Sequence, residues 1–342
     1  DYYFAEDLKP EISNSIEVGT EWKFFNSRLD FDFTFYRTDT KNQLIRVNTT
    51  AEQRPYRWIN AGKIRNTGVE ITLGATPLMN DNFRWKTQFN FATNKNKIVS
   101  LGGTPNFQYA SGNVSMPYKM MVVEGGSLGD IYGNVFVRDA NGKILLEPAI
   151  DKDGNPNAKA GLPQVTTDKI GNFNPDWTLG WSNTVTYKGF SLYFLIDARV
   201  GGDVISLTQA GLDYAGVSKA TGDARDAGYY MLEGQKINDV QKFYQMVGDR
   251  GNGTTEFYRY DGTNIRLREV SLGYSFPQQM LEKTGFIKGV DLSLVARNLF
   301  FIYKDAPFDP DATMSVGNDN QGLDTFGMPS TRNIGFNIKF TF

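Results

Sequence analysis

The sequence contains neither cysteine nor histidine among its 342 residues. Without cysteine the chain has no disulfide, thiolate nucleophile or Cys-ligated zinc, and without histidine it has no Ser-His-Asp machinery and no His-ligated metal. Bond chemistry would have to use carboxylates. Asp30 and Asp32 share one face of a predicted strand, but nothing else in the sequence marks them as a catalytic pair. We therefore predict that the chain is not an enzyme.

Two other absences narrow the class of protein. No run of 18 apolar residues is present, so the sequence predicts no membrane-spanning helix. Acidic and basic residues nearly balance, 38 against 36, and a chain without a basic excess is not expected to bind nucleic acid. No secretory signal opens the chain, and its first ten residues are typical of the middle of a longer protein.

Aromatic residues and glycine are abundant, with 25 Phe, 17 Tyr and 35 Gly. Apolar and polar residues alternate over about nine segments, each roughly 10–13 residues long, which is the period of a strand with two different faces. A tilted membrane strand needs about 9–11 residues. Together these features are typical of a transmembrane β-barrel.

The alternation gives each predicted strand an apolar face and a polar face. Phe31, Phe33 and Phe35, for example, alternate with Asp30, Asp32 and Thr34. In a membrane barrel the apolar face contacts lipid and the polar face lines the lumen. The residues predicted to face lipid are Phe31, Phe33, Phe35, Phe194, Ile196, Leu292, Leu294, Phe336 and Ile338.

The connections between the predicted strands alternate in length. Those at 26–27, 77–81, 188–189 and 277–289 are short or moderate, whereas 39–63, 99–176, 201–263 and 302–330 are long and polar. Short periplasmic turns and long extracellular loops are the arrangement of outer-membrane barrels. Aromatics beside the short turns predict a girdle at that interface: Trp22, Phe24, Phe83, Trp85, Tyr187, Phe190, Tyr274 and Phe276, with Phe340 and Phe342 as a C-terminal signature.

An odd number of strands does not complete a bacterial outer-membrane barrel, and an open sheet edge is forbidden in lipid. We therefore predict an all-β fold in which residues 1–342 form the C-terminal part of one transmembrane antiparallel meander β-barrel. The plug, the N-terminal regions and the other strands would lie outside this chain. Two positions break the pattern: Asn183 occupies a lipid-facing position, and the alternation loses phase near Arg268, where a bulge is expected.

Short motifs follow one another along the chain. Leu8-Lys9-Pro10-Glu11 and Ser15-Ile16-Glu17-Val18-Gly19 stand near the start, followed by Asn60-Ala61-Gly62 and Asn66-Thr67-Gly68-Val69-Glu70. Later come Ile170-Gly171-Asn172, Pro175-Asp176, Tyr187-Lys188-Gly189-Phe190, Gly201-Gly202-Asp203, the run 264–274, Arg297-Asn298-Leu299, Asp309-Pro310-Asp311 and 329–332. In this order they resemble the SusC/RagA family of TonB-dependent outer-membrane transporters, and the resemblance spans essentially the whole chain.

The resemblance implies a barrel of about 22 strands in the outer membrane of a Gram-negative bacterium, with this chain supplying roughly the last nine. It also implies active import of oligosaccharides or oligopeptides, with both cargo classes open. The implied partners are a SusD-like surface lipoprotein over the extracellular mouth and the TonB complex, reached through the missing N-terminal part. The alternative from another class is a passive outer-membrane porin or an adhesin barrel. A plug domain in the full-length gene would favour the importer.

Exposed aromatics on the predicted loops are the candidates for ligand binding, because rings can stack on sugars or hold a peptide. They are Tyr56, Trp58, Phe107 and Tyr109, and loop packing is the competing interpretation. Loops 99–176 and 201–263 are expected to carry most contacts outside the membrane. Arg266, Arg268 and Glu269 are expected either to contact the plug or to be solvated in the lumen.

No cofactor is expected. Residues 139–143 and 151–155 are rich in Asp, Asn and Gly and admit calcium, but their spacing does not match an EF-hand and we interpret them as Asx turns. Asp309, Asp311, Asp319 and Asp324 in the last loop are interpreted as solvated turn residues, with a cation site as the alternative.

Overall fold

The computed structural model describes residues 3–4, 8–48, 56–102, 106–108, 117–282, 285–314 and 321–342. No helix in these ranges is long and apolar enough to cross a bilayer. In chain order the elements are β1 (Tyr3–Phe4), β2 (Ile12–Phe24), β3 (Leu29–Asn48), β4 (Tyr56–Met79), β5 (Phe83–Ser100), β6 (Phe107–Gln108), β7 (Tyr118–Val122), β8 (Asp130–Phe136), β9 (Val165–Asn172), β10 (Trp177–Tyr187), β11 (Phe190–Val200), β12 (Asp203–Ser206), α1 (Leu207–Tyr214), α2 (Lys219–Ala227), β13 (Tyr230–Leu232), β14 (Gln235–Ile237), α3 (Val240–Val247), a 3₁₀ helix (Thr255–Tyr258), β15 (Arg259–Asp261), β16 (Asn264–Ser275), α4 (Gln278–Leu281), β17 (Gly289–Lys304), β18 (Leu323–Asp324) and β19 (Asn333–Thr341).

Nine strands form one antiparallel sheet in the order β2-β3-β4-β5-β10-β11-β16-β17-β19, and β1 adds a short parallel pairing to β4. Each long strand pairs with the next long strand along the chain, which is the meander that the alternation predicted. Among the described residues β2 and β19 are the edges of this sheet, and every residue of both strands is exposed. The predicted all-β meander, with about nine strands, is confirmed.

The reversals at one end of the sheet are tight because their residues suit tight turns. Lys188 and Gly189 both have positive φ, 45° and 87°, as in the two-residue turns that match the twist of paired strands. Between β4 and β5, Asn80 Oδ1 accepts hydrogen bonds from the N–H groups of Asn82 and Phe83 at 3.0 and 2.9 Å. Three connections at the other end, 101–176, 201–263 and 305–332, are long.

Strands β3 and β4 extend beyond their predicted length. We expected a long loop at 39–63, but β3 continues to Asn48 and β4 begins at Tyr56. The extension carries polar residues on both faces, so the two-faced alternation that marks a membrane strand is lost there. The ladder is interrupted where Asn42 and Gly62, both with positive φ, lie between the pairs Lys41–Lys63 and Gln43–Ala61.

The register places apolar side chains of successive strands in rows on one face of the sheet. One row joins Trp22, Phe31, Leu73, Phe89, Trp181 and Ile196, and another joins Leu192, Leu272, Leu294 and Phe336. The Phe89 and Trp181 rings stack with their centroids 5.5 Å apart. Because strand residues alternate between faces, the intervening polar residues lie on the opposite side. The sheet therefore has an apolar face and a polar face.

The two irregular positions have structural explanations. Leu195 and Ile196 of β11 pair with Glu269 and Leu267 of β16, so Arg268 is the extra residue of a bulge. The predicted bulge is confirmed. Asn183 is 2% exposed, and its Oδ1 accepts a hydrogen bond from the Trp85 indole Nε1 at 3.0 Å. This amide lies among apolar residues because it satisfies an indole that would otherwise have no acceptor there.

The described parts of 101–176, 201–263 and 305–332, here called the loop layer, contain three α-helices and a 3₁₀ helix that we did not predict. The α-helices have only eight or nine residues, too few for a clear helical period, but each begins at a capping residue. Ser206, Ser218 and Asp239 accept hydrogen bonds from the first-turn N–H groups of α1, α2 and α3. The loop layer also contains two hydrophobic cores of its own. We expected polar loops, and the structure shows a packed layer.

Candidate functional site

The polar face of the sheet is covered with hydrogen-bonded side chains. Thr72 Oγ1 donates to Asn90 Oδ1 at 3.2 Å, and Gln88 Nε2 donates to the same oxygen at 3.0 Å. Lys23 forms an ion pair with Glu21 at 2.7 Å. Charged and amide side chains are well solvated by water, whereas placing them in contact with lipid hydrocarbon costs free energy. In a barrel this face lines the lumen.

Arg266 anchors the last long loop to this polar face. The guanidinium is only 2% exposed, its Nη2 donates to Asp309 Oδ1 at 2.5 Å, and Asp311 Oδ2 lies 3.5 Å away. The guanidinium carbon also lies 4.1 Å from the centroid of the Phe301 ring. A buried cation held by two carboxylates and a ring is costly to separate from them. The part of the last loop around Asp309 and Asp311 is thereby fixed to the wall of the sheet.

The environment of Asp309 shifts its titration. Burial alone would raise the pKa of this carboxyl, but hydrogen bonds from Ser330 and from the Asp311 N–H, together with Arg266, hold the pKa below its ordinary value. The carboxylate is therefore charged at neutral pH. From the sequence, solvation was one of two interpretations for Arg266 and the preferred one for Asp309. Solvation is wrong for both, because their side chains are only 2% and 7% exposed. Contact of this group with a plug stays a prediction.

The neighbouring charges are also paired within the chain. Arg268 Nη2 donates to Asp197 Oδ1 at 2.6 Å and to Asp311 Oδ2 at 3.2 Å. Glu269 accepts a hydrogen bond from Arg297 at 2.8 Å. Asp324 accepts one from Ser206 at 2.6 Å, and Asp319 lies outside the described residues. Sequence motifs contained most of these residues, but no motif shows which of them pair.

Asparagine side chains connect the first long loop to the sheet. Asn94 and Asn96 of β5 both donate to Asn66 Oδ1, at 3.3 and 3.0 Å. The Asn96 side-chain oxygen accepts the Leu128 N–H at 2.8 Å. Within the loop layer itself, Asn172 Nδ2 donates to Asp130 Oδ1 at 2.7 Å. The hydrogen bond between Leu128 and Asn96 therefore ties the loop layer to the polar face at the end of the sheet opposite the tight turns.

Aromatic side chains fill the described interior of the loop layer. Phe243 is fully buried and contacts the rings of Tyr230, Tyr244 and Phe257. Burial raises the pKa of Tyr260 to about 12 and that of Tyr258 still further, so both phenols stay protonated at physiological pH. In the ranges that the structure describes, no group of three or more acidic residues could hold a metal ion.

Asp139 and Asp151 each close a turn, as we interpreted from the sequence. Asp139 Oδ1 accepts the N–H groups of Asn141 and Lys143 at 2.8 and 3.0 Å. Asp151 Oδ1 accepts those of Asp153 and Asn155 at 2.9 and 2.8 Å. The Asx turns are confirmed, because in each run the first carboxylate is occupied by backbone donors. The expectation that the chain needs no cofactor stays a prediction.

The four aromatic ligand candidates are not brought together in the described residues. Tyr56 and Trp58 lie in β4, paired with Asn48 and Arg46, so the prediction that they lie on a loop is wrong. The Trp58 side chain is partly buried. Phe107 lies in the short β6, paired with Val122, and Tyr109 lies outside the described residues. A role of these residues in binding stays a prediction.

The residues predicted to face lipid all lie on the apolar face. Phe31 and Phe35 pair with Trp22 and Val18, and Leu294 pairs with Phe336. The aromatics beside the tight turns also adjoin one another, and the Phe190 and Tyr274 rings are 4.5 Å apart at their centroids. Contact with lipid stays a prediction for the full set, which is Phe31, Phe33, Phe35, Phe194, Ile196, Leu292, Leu294, Phe336 and Ile338.

A meander sheet with one apolar and one polar face and long connections at one end is typical of the wall of an outer-membrane β-barrel. The chain belongs to the TonB-dependent receptor-like β-barrel family, whose model matches residues 1–299. Members of this family are transporters and not enzymes. The predicted resemblance to the SusC/RagA group is confirmed.

Individual relatives agree with this assignment. TonB-dependent receptor P3 of Formosa agariphila is 29% identical over 358 residues, which cover 98% of this chain and 35% of that protein. TonB-dependent receptor SusC of Bacteroides thetaiotaomicron is 23% identical over 323 residues, covering 92% of this chain and 31% of that one. The closed-closed state of the RagAB peptide importer superposes with a TM-score of 0.72 at 20% identity, over 97% of this chain and 35% of that chain. The chain thus spans about a third of the length of its relatives.

Proposed function

We propose that the protein is a TonB-dependent importer of oligosaccharides or oligopeptides in the outer membrane of a Gram-negative bacterium. Residues 1–342 would form the C-terminal part of its barrel domain. The observation that carries the proposal is the two-faced nine-stranded meander with the loop layer over one end of its polar face. The remaining strands, the plug and the segment that contacts TonB would come from the rest of the protein, because β2 and β19 offer unpaired edges that lipid does not tolerate.

The loop layer would face the cell exterior and meet a SusD-like surface lipoprotein. The tight turns and the aromatic residues beside them would then lie at the periplasmic interface. Apolar side chains on the loop layer support a docking role: Val217 and Phe326 are each 68% exposed and Met328 is 89% exposed. Phe326 also has φ of 48°, a rare conformation for a bulky residue. Exposed apolar side chains of this kind are typical of contact surfaces.

The layer does not need a partner to be ordered, since its own cores hold it together. The proposed lipoprotein would instead close the mouth above it. The support for this partner is the similarity to SusC and to the RagAB importer. The support for peptide cargo is only that RagAB is a peptide importer. Glycan and peptide cargo therefore both belong to the proposal.

Uptake in intact cells tests the proposal. Accumulation of labelled oligosaccharides and oligopeptides would be compared in wild-type cells, cells lacking this protein and cells lacking TonB. We expect one cargo class to be lost in both deletion strains. A passive porin would lose uptake in the first strain only, and an adhesin would lose it in neither. Co-purification in mild detergent tests the partner, and a full-length barrel that emerges alone with protease-resistant loops would contradict the lipoprotein lid.

A further inference from the structure

We infer that the outward side of β3, β4 and β5 carries a phosphate-binding site for lipid headgroups, just beyond the apolar rows. The inference rests on the proposed outer-membrane location. The site, here called the cationic patch, consists of Arg37, Lys41, Lys63, Arg65, Lys95 and Lys97. It lies on the face of the sheet opposite the lumen and is separate from the loop layer.

The positions of neighbouring residues show on which face of the sheet the side chains of the cationic patch lie. Asn66, Asn94 and Asn96 are held on the polar face by their mutual hydrogen bonds and by Leu128 of the loop layer. Ile64 and Ile98 lie on that same face and are buried with Val122. Since successive residues of a strand point to opposite sides, Lys63, Arg65, Lys95 and Lys97 point outward. Register places Lys41 opposite Lys63 and Arg65 opposite Lys97.

The patch has a large excess of positive charge. The nine outward positions of 37–41, 63–67 and 93–97 hold six cations, two threonines and a single carboxylate, Asp39. Asp39 is shared by Arg37, Lys63 and Arg65, at 3.4, 3.2 and 2.7 Å. Lys41, Lys95 and Lys97 are exposed and make no ion pair with any described residue. Like charges on adjacent strands repel, so this arrangement favours an external anion.

The height of the patch matches a headgroup layer. Directly before it on the same face lie Phe35, Val69 and Phe91, the last apolar residues of the rows. A strand rising about 3.3 Å per residue at a tilt near 40° brings Lys95 roughly 30 Å from the β4–β5 turn. The apolar band of such barrels is about 25 Å tall. The lysines therefore reach just past hydrocarbon, where lipid phosphates lie.

The patch is local. At the same end of β10 and β11 the outward positions are Trp177 and Val200, which carry no charge. If these cations served only to keep the protein soluble, they would be spread over the ends of all the strands. A lipid headgroup with one or two phosphates is instead bound by cations on two or three neighbouring strands. The three unpaired lysines offer compact ammonium donors suited to phosphate. The site thus selects phosphorylated lipid over zwitterionic or uncharged lipid.

Binding of purified lipid to the full-length protein tests the inference. The probes are phosphorylated lipid A, chemically dephosphorylated lipid A and inorganic phosphate, each added to the protein extracted from outer membranes and followed by native mass spectrometry. The test variant is K41Q/K95Q/K97Q. The matched control is K143Q/K152Q/K159Q, which removes three exposed lysines from the loop layer. If the test variant does not fold, K95Q alone replaces it.

We expect wild type and the control to prefer phosphorylated lipid A over its dephosphorylated form. The test variant should bind it on the order of 100-fold more weakly, about fivefold for each lysine, and K95Q about fivefold more weakly. Equal affinities for test variant and control would overturn the inference, as would complete competition by inorganic phosphate at equal phosphate concentration. A changed oligomer mass with unchanged lipid binding would show a protein interface instead. Failure of the wild type to appear in outer membranes would refute the proposed function itself, which separates the two failures.

Discussion

Arg266 and Asp309 are the charged pair whose surroundings differ most from water. We predict that Arg266→Leu costs about 3–5 kcal/mol, because it leaves the Asp309 carboxylate buried without its cation. Segment 305–332 should then be cut rapidly by protease while the strands stay intact. The control is Arg297→Leu, whose ion pair with Glu269 is exposed and should contribute at most about 1 kcal/mol. Equal protease resistance of the two variants would refute the anchoring role of Arg266.

The depressed pKa of Asp309 predicts how this anchor responds to acid. When folding lowers the pKa of a carboxyl, the charged carboxylate stabilises the fold at any pH above the ordinary, unfolded pKa. This contribution is lost as the pH falls from the unfolded pKa through the lower, folded pKa. Pepsin cleavage of 305–332 should therefore rise as the pH falls below the ordinary aspartate pKa of about 4. Asp309→Asn should be cleaved readily throughout and show a flatter pH profile. A wild-type profile no steeper than that of Asp309→Asn would contradict the prediction.

Asn183 and Trp85 provide a second test, this time on the apolar face. Asn183→Leu should destabilise the protein by about 1–3 kcal/mol, because the Trp85 indole N–H loses its acceptor in an apolar setting. Trp85→Phe on that background should recover much of the loss, since no donor then lacks a partner. A double-mutant cycle in detergent unfolding measures the coupling. Strictly additive effects would show that the hydrogen bond contributes nothing.

Among the elements, β3 offers the clearest test of which face meets lipid. Phe33 pairs with Thr20 and Ile71 on the apolar face, while Asp32 pairs with Glu21 and Thr72 on the polar face. Phe33→Arg near the bilayer midplane should cost about 2–4 kcal/mol, and Asp32→Arg much less. The assembled fraction in outer membranes, measured by heat-modifiable migration, checks both. Similar assembly defects for the two variants would reverse the assignment of faces.

The strands differ in how far sequence predicted them. β2, β5 and β10 were predictable because one face is apolar and the other polar, which produces a period of two. The outer half of β3 was not, because polar residues on both of its faces interrupt the alternation there. Helices α1 to α3 escaped prediction for a related reason: their order comes from capping residues and from packing around Phe243, and neither leaves a long periodic signal.

At the scale of the whole molecule, we predict that the loop layer can be destabilised without loss of the sheet. Phe243→Ala should cost about 3–5 kcal/mol within the layer, because its fully buried ring contacts three other aromatics. Helices α1 to α3 should become sensitive to protease while heat-modifiable migration of the barrel is unchanged. Met231→Ala, at an exposed site in the same layer, is the control. Loss of the barrel in Phe243→Ala would show that the loop layer and the sheet are not separable.

For the molecule as a whole, the sequence predicted the class of protein better than it predicted the contacts of the candidate site. The two-faced strands and ordered motifs were sufficient for the barrel and the family. The Arg266–Asp309 anchor joins residues 43 positions apart, and Tyr258 reaches Asp213 across 45. Which residues pair in this way depends on how each loop folds back onto the sheet. A single sequence has no periodic pattern from which that folding could be predicted.

One hydrophobic core of the loop layer is built from residues that lie far apart along the chain. Leu323, fully buried, completes a cluster otherwise built from residues between Tyr118 and Leu207, and it is the last of them along the chain. This core is therefore incomplete until residue 323 is in place, late in the chain. We expect the earlier loops to be more open to proteases before that point than after it.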